Sequence, residues 1–223
     1  MPESRRLAYL DALGIEVWKP RGEEAVESGS DDNSAVLHDW PTLREAVQAC
    51  IRCPLHQSRT QTVFGVGSET ADWMIIGEAP GAEEDRRGEP FVGRAGKLLD
   101  QMLKAVELDR GRVFIANVLK CRPPNNRDPS AEEATACRSY LDRQIELVQP
   151  KLILAVGRIA AQKLLDTDEP VGRMRGQAHY LGERRIPLVV TYHPAYLLRS
   201  PVQKRKSWQD LCLAKKLIQN ESS

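Results

Sequence analysis

Short apolar runs alternate with amphipathic segments along the last two thirds of the chain. Four runs, rich in branched apolar residues, have the length of buried strands: 73–76, 113–118, 152–156 and 188–191. Segments with the apolar spacing of helices follow them: 95–108, 130–148, 158–165 and about 208–218. Strands that alternate with helices indicate right-handed βαβ units. We therefore predict an α/β fold with three layers, in which a central four-stranded parallel sheet lies between helices.

The first 39 residues have a different character. The spacing of apolar residues over 5–18 predicts a short helix, whereas 21–35 is acidic, contains Ser and Gly, and is typical of a flexible linker. A further helix is expected from about residue 41 to Cys50. We therefore divide the chain into an N-terminal leader over 1–39 and a single structured domain over 40–219.

Composition narrows the class of protein only moderately. The 223 residues are 41% hydrophobic with a net charge of +1. Residues 1–40 hold four Lys and Arg against nine Asp and Glu, a balance of −5, so the rest of the chain carries +6. A mildly basic body permits nucleic-acid binding without requiring it. No apolar run reaches the ~18 residues of a membrane span and no signal peptide is visible, so we expect a cytoplasmic protein with no membrane partner.

The segment Gly77–Asp85, with the sequence GEAPGAEED, directly follows a predicted strand. Ligands of parallel sheets bind beyond the carboxyl ends of the strands. Gly77 and Gly81 allow tight turns that bring backbone groups close to a ligand. The segment matches neither a phosphate-binding loop nor a dinucleotide-binding loop. The alternative is an ordinary strand-to-helix turn with solvated acidic residues.

Two other strand ends carry polar side chains. His193 follows the last strand, and Pro194 suits the first turn of a helix, so the imidazole is expected to face the ligand. Asn117 ends an apolar strand, and its amide needs partners for both its C=O and its NH₂. A pyrimidine edge would satisfy both groups. For both residues the alternative is a purely structural role, as a packed or capping histidine and as an asparagine bonded to backbone.

Four of the five cysteines form a candidate ligand set. In a reducing compartment, metal or cluster ligation is a better use for them than disulfides. Cys50 and Cys53 form a CxxC pair, and Cys121 and Cys137 can be brought together by the predicted fold. Four thiolates suit zinc or an iron–sulfur cluster, and His56 could replace one of them at a zinc ion. Spacing alone does not separate these possibilities. Cys212, between two leucines of a predicted helix, is expected in the core.

Basic residues follow His193 closely. Arg199, Lys204 and Arg205 lie near the same sheet edge as the loops described above. Their position favours phosphate contacts, although a run of this kind often marks only a solvated helix start.

Taken together, these segments resemble the family 4 uracil-DNA glycosylases, the iron–sulfur branch of that superfamily. The resemblance covers about 40–215. It rests on the four cysteines and on four segments in order: GEAPGAEED (77–85), PFVGRAGKLLD (90–100), NVLKCRPP (117–124) and HPAYLLR (193–199).

The resemblance implies a fold, a reaction and a cofactor. The fold is that of uracil-DNA glycosylases, and the reaction is hydrolysis of the N-glycosidic bond of uracil in DNA, which leaves an abasic site for base excision repair. The four cysteines would hold a structural [4Fe-4S] cluster. The partner would be single- or double-stranded DNA that contains uracil. The protein would therefore associate with the nucleoid in the cytoplasm. The leader lies outside the resemblance, and its residues 5–20 could dock either on the body of the protein or on a replication or repair protein. The chain is expected to be a monomer.

The resemblance also assigns roles to site residues. Phe91 would stack on the flipped base, Asn117 would read uracil, and His193 would stabilise charge on the leaving base. Glu78 and Glu84 occupy acidic positions of the motif, where they could position water or restrict the C5 side of the base. The backbone around Gly77, Ala79 and Gly81 would supply further donors.

One position departs from a related family. Family 1 enzymes carry an aspartate where this sequence has Ala79, so the water-activating carboxylate of that family is missing. Two alternatives to the resemblance remain: a nucleic-acid-binding module without catalysis, and a glycosylase for a different damaged base.

Overall fold

A computed structural model describes residues 39–221, with side chains up to residue 219. The predicted helix over 5–18 and the linker over 21–35 lie outside the described residues, so the division of the chain at residue 39 stays a prediction. Among the described helices, none has the length and apolar character that crossing a membrane requires.

The predicted parallel sheet is present, but it is part of a larger one. Its strands are β1 (Val66–Gly67), β2 (Trp73–Gly77), β3 (Val113–Asn117), β4 (Leu152–Val156), β5 (Ala178–Leu181) and β6 (Ile186–Thr191). Their order is β1-β3-β2-β4-β6-β5. The four predicted strands, β3, β2, β4 and β6, are mutually parallel as expected.

The prediction of a four-stranded, purely parallel sheet was wrong, because two antiparallel strands extend it at its edges. β1 has only two residues, including a glycine, and therefore gives no alternating pattern. β5 has the sequence AHYL and is only partly buried, as an edge strand can be. Neither strand resembles the apolar runs of a sheet interior, which explains why they escaped prediction.

Eight helices cover the described part of the sheet and its loops. They are α1 (Trp40–Gln48), α2 (Ala82–Arg87), α3 (Arg94–Ala105), α4 (Ala131–Val148), α5 (Arg158–Leu165), α6 (Val171–Met174), α7 (Pro194–Arg199) and α8 (Lys204–Glu221). The helix predicted to start near residue 41 is confirmed. The helix predicted over 95–108 ends three residues earlier, because Val106 and Glu107 leave the helical conformation. The last helix begins four residues before the expected 208.

The strands of the sheet centre are buried along their whole length, so both faces need apolar cover. One core contains Leu43, Phe114 and Leu141, and the opposite core contains Leu99 and Leu211. The two cores confirm the three-layer arrangement. Cys212 is only partly buried, between the core residues Leu211 and Ala214, so its expected place in the core was wrong. Helical geometry turns it away from the face that those neighbours bury.

The strand register places the candidate residues at one edge. Gly77 pairs with Asn117 at the ends of β2 and β3, and Val156 pairs with Thr191 at the ends of β4 and β6. The chain then leaves the sheet at the same level in all four strands. The residues that follow the strands are therefore the ones that can meet around a ligand.

Candidate active site

A pocket of about 450 Å³ opens at the carboxyl ends of the strands. It has the size of a small-ligand site. Eight of the residues predicted for the site line it: Glu78, Ala79, Gly81, Glu84, Phe91, Asn117, His193 and Arg199. Three predicted residues do not line the pocket: Gly77 is the last residue of β2, and Lys204 and Arg205 lie exposed in the first turn of α8.

Asn117 brings an unsatisfied polar atom to this pocket. The residue is 2% exposed, and its Oδ1 is buried without a hydrogen-bond partner among the described residues. A buried acceptor without a partner is costly unless a ligand supplies the missing donor. Gly77 makes room for it: a Cβ at that position would lie 2.4 Å from Asn117 Oδ1 and 2.6 Å from the Phe91 ring. Any side chain at Gly77 would therefore displace both residues.

Phe91 is held in a backbone conformation that non-glycine residues rarely adopt, with φ of 55°. Arg110 donates to its carbonyl oxygen at 3.1 Å and to that of Pro90 at 2.6 Å. Asp100 in turn accepts a hydrogen bond from Arg110 at 3.1 Å. Gly96 allows the close approach, because a Cβ there would lie 1.6 Å from the Phe91 carbonyl oxygen. These contacts fix the aromatic ring at the pocket wall. Arg110 belongs to none of the four segments that carry the resemblance, so the sequence did not identify it as part of the site.

Glu84 fastens the other side of the same loop. Its Oε1 accepts hydrogen bonds from the backbone N–H groups of Val92 and Gly93, at 2.9 and 3.0 Å. Its Oε2 would lie 2.6 Å from a Cβ at Gly81, which explains why a glycine begins this turn. The carboxylate lies in the pocket wall and also orders the backbone that presents Phe91.

His193 stands at the N-terminus of α7 with a defined tautomer. The backbone N–H of Ala195 donates to its Nδ1 at 3.1 Å, so Nδ1 is the acceptor and Nε2 carries the proton of the neutral ring. Burial, assisted by Arg199 and opposed by Glu84, lowers the pKa of His193 to about 4. The ring is therefore neutral at physiological pH. It stacks against Phe91, with ring centroids 5.7 Å apart.

Gly157 makes space for this histidine. It has φ of 102°, and a Cβ on it would lie 3.0 Å from the Cβ of His193. It directly follows the last residue of β4, at the same sheet edge as His193.

Glu78 is the ionisable group of the pocket whose pKa is shifted towards neutrality. Its pKa is raised to about 7, mainly by burial and next by the charge of Asp128, while Arg158 lowers it. Asp128 lines the same pocket and accepts a hydrogen bond from Arg158 at 2.5 Å. A carboxyl group that changes its ionisation near pH 7 is suited to acid–base chemistry or to orienting water.

The loop after Cys121 contributes more to the pocket than its sequence indicated. Pro123, Asn126, Arg127 and Asp128 line the pocket, although none of them was among the residues predicted for the site. Arg127 anchors the loop through two hydrogen bonds to the buried carboxylate of Glu133, at 2.8 and 2.6 Å. Because these hydrogen bonds join the loop to α4, the composition of the loop alone could not predict its position.

The four candidate cysteines lie around a second, small cavity. Cys50, Cys53, Cys121 and Cys137 all line it, together with Tyr140 and other residues. His56 instead places its Nδ1 2.8 Å from the carbonyl oxygen of Cys53. In the part of the chain that the structure describes, no group of three or more His, Cys, Asp and Glu side chains is arranged to hold a single metal ion.

Comparison with known proteins places this arrangement in a family. The model of the uracil DNA glycosylase superfamily matches residues 64–214. The chain is 44% identical over 169 residues to a type-4 uracil-DNA glycosylase of Archaeoglobus fulgidus, an alignment that covers 73% of this chain and 84% of the relative. It is 46% identical over 166 residues to that of Sulfurisphaera tokodaii, covering 71% and 76%. For the Thermotoga maritima protein the identity is 42% over 183 residues, covering 80% and 94%.

Proposed function

Because the chain belongs to the uracil DNA glycosylase superfamily, we propose that it hydrolyses the N-glycosidic bond of uracil in DNA and leaves an abasic site. The observation that carries this proposal is the unpartnered, buried Oδ1 of Asn117, in the same pocket as Phe91 and His193. Phe91 provides a surface on which a uracil ring can stack, and the amide of Asn117 can read its polar edge. The neutral imidazole of His193 can stabilise charge on the same ring.

Asn117 distinguishes uracil from cytosine by the direction of its hydrogen bonds. Its Oδ1 accepts from N3–H of uracil, and its NH₂ donates to O4. Cytosine presents an acceptor and a donor at these two positions in the reverse order, so both amide groups would stay unpaired. A site built on such polar contacts can reject the wrong ligand by a factor of ~10⁴ or more.

The base must leave the DNA stack before it can reach this pocket, since its edge and C1′ are inaccessible within the duplex. Phe91 offers the flipped base a stacking surface, a contact that contributes roughly 1–3 kcal/mol. The strained loop held by Arg110 and Glu84 keeps this ring in place before DNA binds. Arg199, Lys204 and Arg205 contact DNA phosphates around the pocket. A replication or repair protein that binds the leader over 1–39 is part of the same proposal.

His193 stabilises the leaving base. Cleavage of the glycosidic bond leaves positive charge on the sugar and negative charge on uracil. The Nε2–H of neutral His193 donates to O2 as that charge develops, which favours the transition state over the bound substrate. Backbone N–H groups of the loop from Gly77 to Gly81 add to this stabilisation.

The ionised Glu78 carboxylate orients the attacking water. It takes over the task of the carboxylate that is missing at Ala79. We expect the excision rate to fall as pH falls through about 7, since Glu78 becomes protonated over this range. His193 does not cause this change, because its pKa is about 4. Rates of single-turnover excision measured between pH 5 and 9 check the prediction.

Three substitutions complete the pH experiment. Glu78→Gln should give a slow rate without the step near pH 7. Asp128→Asn should move the step to lower pH, because a negative charge that raises the pKa of Glu78 is removed. Glu83→Gln, on the exposed side of α2, serves as the control and should leave the profile unchanged. A step that persists in Glu78→Gln would exclude Glu78 as the titrating group.

Cys50, Cys53, Cys121 and Cys137 hold a [4Fe-4S] cluster in this proposal. Four thiolates suit such a cluster. One feature supports a shared ligand set: all four thiols line the same cavity. The bound cluster would tie together the segment after α1, the loop after β3 and α4 without taking part in hydrolysis.

We expect Cys53→Ser to lose most of its iron, sulfide and visible absorption, because a cluster ligand is replaced by a weaker one. Cys212→Ser is the matched control and should retain all three, since Cys212 lies on α8, outside the cysteine cavity. Iron and sulfide analysis of protein purified without oxygen measures the difference. Purified wild-type protein that contains zinc and no iron would contradict the cluster.

The reaction type is tested with an oligonucleotide that carries a single uracil. The protein should release free uracil, identified by mass, and leave a strand that breaks only after alkali treatment. Strand breakage before alkali would contradict a monofunctional hydrolysis.

A further inference from the structure

Lys120 is a buried lysine between the pocket and the cysteine cavity. It is 1% exposed and lines the cysteine cavity. Its Nζ donates to the backbone carbonyl oxygen of Asn117 at 2.8 Å and to Oε1 of Gln144 at 2.6 Å. In the described part of the chain, no carboxylate accepts a hydrogen bond from it. Burying an ammonium group is expensive. The charges of Cys121 and Cys137 offset part of this cost, but they do not explain why both hydrogen-bond acceptors of the Nζ are neutral and one of them is the carbonyl oxygen of Asn117.

Gln144 makes this contact rigid. The residue is fully buried on α4, seven positions after Cys137, and its Nε2 donates to the carbonyl oxygen of Phe64 at 2.9 Å. Its amide is therefore fixed on both sides, and Oε1 points at Lys120 with little freedom. The lysine side chain is thus held between α4 and the end of β3.

The backbone of Lys120 is fixed as well. Its N–H lies 3.3 Å from Sγ of Cys137, and its carbonyl oxygen accepts from the N–H of Val63 at 2.8 Å. The residue therefore connects a cysteine of the candidate cluster site with the strand end that carries the uracil reader.

The hydrogen bond from Lys120 reaches Asn117 at the last residue of β3 that is paired with β2. Gly77 and Asn117 are the last paired residues of β2 and β3. Beyond them the chain turns, with Val118 and Leu119 donating to the carbonyl oxygens of Gly77 and Glu78. The Nζ of Lys120 folds back to bind the Asn117 carbonyl, so the peptide after Asn117 is held at both ends: at its N–H by Gly77 and at its carbonyl oxygen by Lys120. The direction of the Asn117 side chain follows from the plane of that peptide, and base reading requires it to be set within about 0.5 Å.

We propose that Lys120 is a positioning residue that holds Asn117 in its uracil-reading orientation. The inference rests on the proposed function, because it concerns how the same pocket recognises its base. It makes base selectivity depend on a side chain that does not touch the base. A lysine with a merely structural role would instead affect stability and all DNA binding alike.

The test is a double-mutant cycle on base-selective binding. The probe is an oligonucleotide with a single 2′-fluorinated deoxyuridine, which resists hydrolysis, compared with the same strand carrying cytosine. The Kd ratio is measured for cluster-loaded wild type, Lys120→Met, Asn117→Ala and the double variant, at equal iron content per chain. Lys104→Met, exposed on α3, is the matched control for a lysine-to-methionine change.

We expect Lys120→Met to reduce the preference for uracil over cytosine by roughly tenfold, and Lys104→Met to leave it unchanged. In the Asn117→Ala background, Lys120→Met should have no further effect, because the group that it positions is gone. Two results would overturn the inference: an undiminished preference in Lys120→Met, or effects of the two substitutions that multiply. Wild-type protein without any preference would instead contradict the proposed function.

If Lys120→Met does not fold, Gln144→Leu takes its place. This variant leaves Lys120 in the chain but removes the acceptor that fixes it, so a smaller loss of preference is expected, again only when Asn117 is present. An unchanged preference in a folded Gln144→Leu protein, shown by thermal unfolding, would contradict the positioning role.

Discussion

Replacing His193 with alanine is expected to lower the kcat of uracil excision by roughly 10²–10³-fold, the usual cost of removing one donor from a site that stabilises developing negative charge. The donor is the Nε2–H, because Nδ1 already accepts from the N–H of Ala195. Since the contact strengthens only in the transition state, KM should change little. Single-turnover kinetics with a uracil-containing oligonucleotide measure both effects.

A second substitution separates catalysis from helix capping. His193 also caps α7 through Nδ1, so alanine removes the cap together with the donor. Asparagine is a good N-terminal cap but is too short to place a donor where Nε2 lies. We expect His193→Asn to be as slow as His193→Ala while retaining more stability. A fully active His193→Asn protein would show that the imidazole contributes only the cap.

Asn117→Asp is expected to reduce kcat/KM for uracil by roughly 10³-fold or more, since a polar reading site that loses its complementarity rejects its ligand strongly. The carboxylate can still accept from N3–H, but it cannot donate to O4 and it places a negative charge beside the departing anion. Burial near Phe91 strengthens that repulsion. Excision rates at several substrate concentrations give the measurement.

The matched control for this change lies in the same pocket. Asn126 lines the pocket but accepts a hydrogen bond from Arg122 at 2.8 Å, so Asn126→Asp keeps that contact and adds a similar charge. We expect Asn126→Asp to lower kcat/KM for uracil far less than Asn117→Asp does. Equal losses in the two variants would mean that charge in the pocket, rather than base reading, explains the effect.

The sequence identified the elements whose pattern is local. Strands β2, β3, β4 and β6 are continuous apolar runs, because a parallel sheet is covered on both faces. Asn117 and His193 stood out as polar residues at the ends of such runs. β1 and β5 could not be recognised in this way, since a two-residue strand and a half-exposed edge strand carry no such pattern.

The parts of the site that escaped prediction depend on contacts between distant segments. The conformation of Phe91 relies on Arg110, nineteen residues later, and that of Lys120 on Gln144, twenty-four residues later. Neither partner belongs to a motif. Cys212 shows the opposite error: apolar neighbours suggested burial, but helical geometry turned the residue partly outwards. Candidate site residues can thus be found from the local sequence pattern. The residues that hold them in place, such as Arg110 and Gln144, can be identified only once the fold is known.

The central claim is that this pocket removes uracil selectively from DNA. The most direct measurement compares three oligonucleotides that differ at one position, carrying uracil, thymine or cytosine, incubated with cluster-loaded protein and then treated with alkali. We expect cleavage at uracil alone, and a loss of that cleavage in Asn117→Asp. Absence of cleavage at uracil, or equal cleavage at all three bases, would contradict the account.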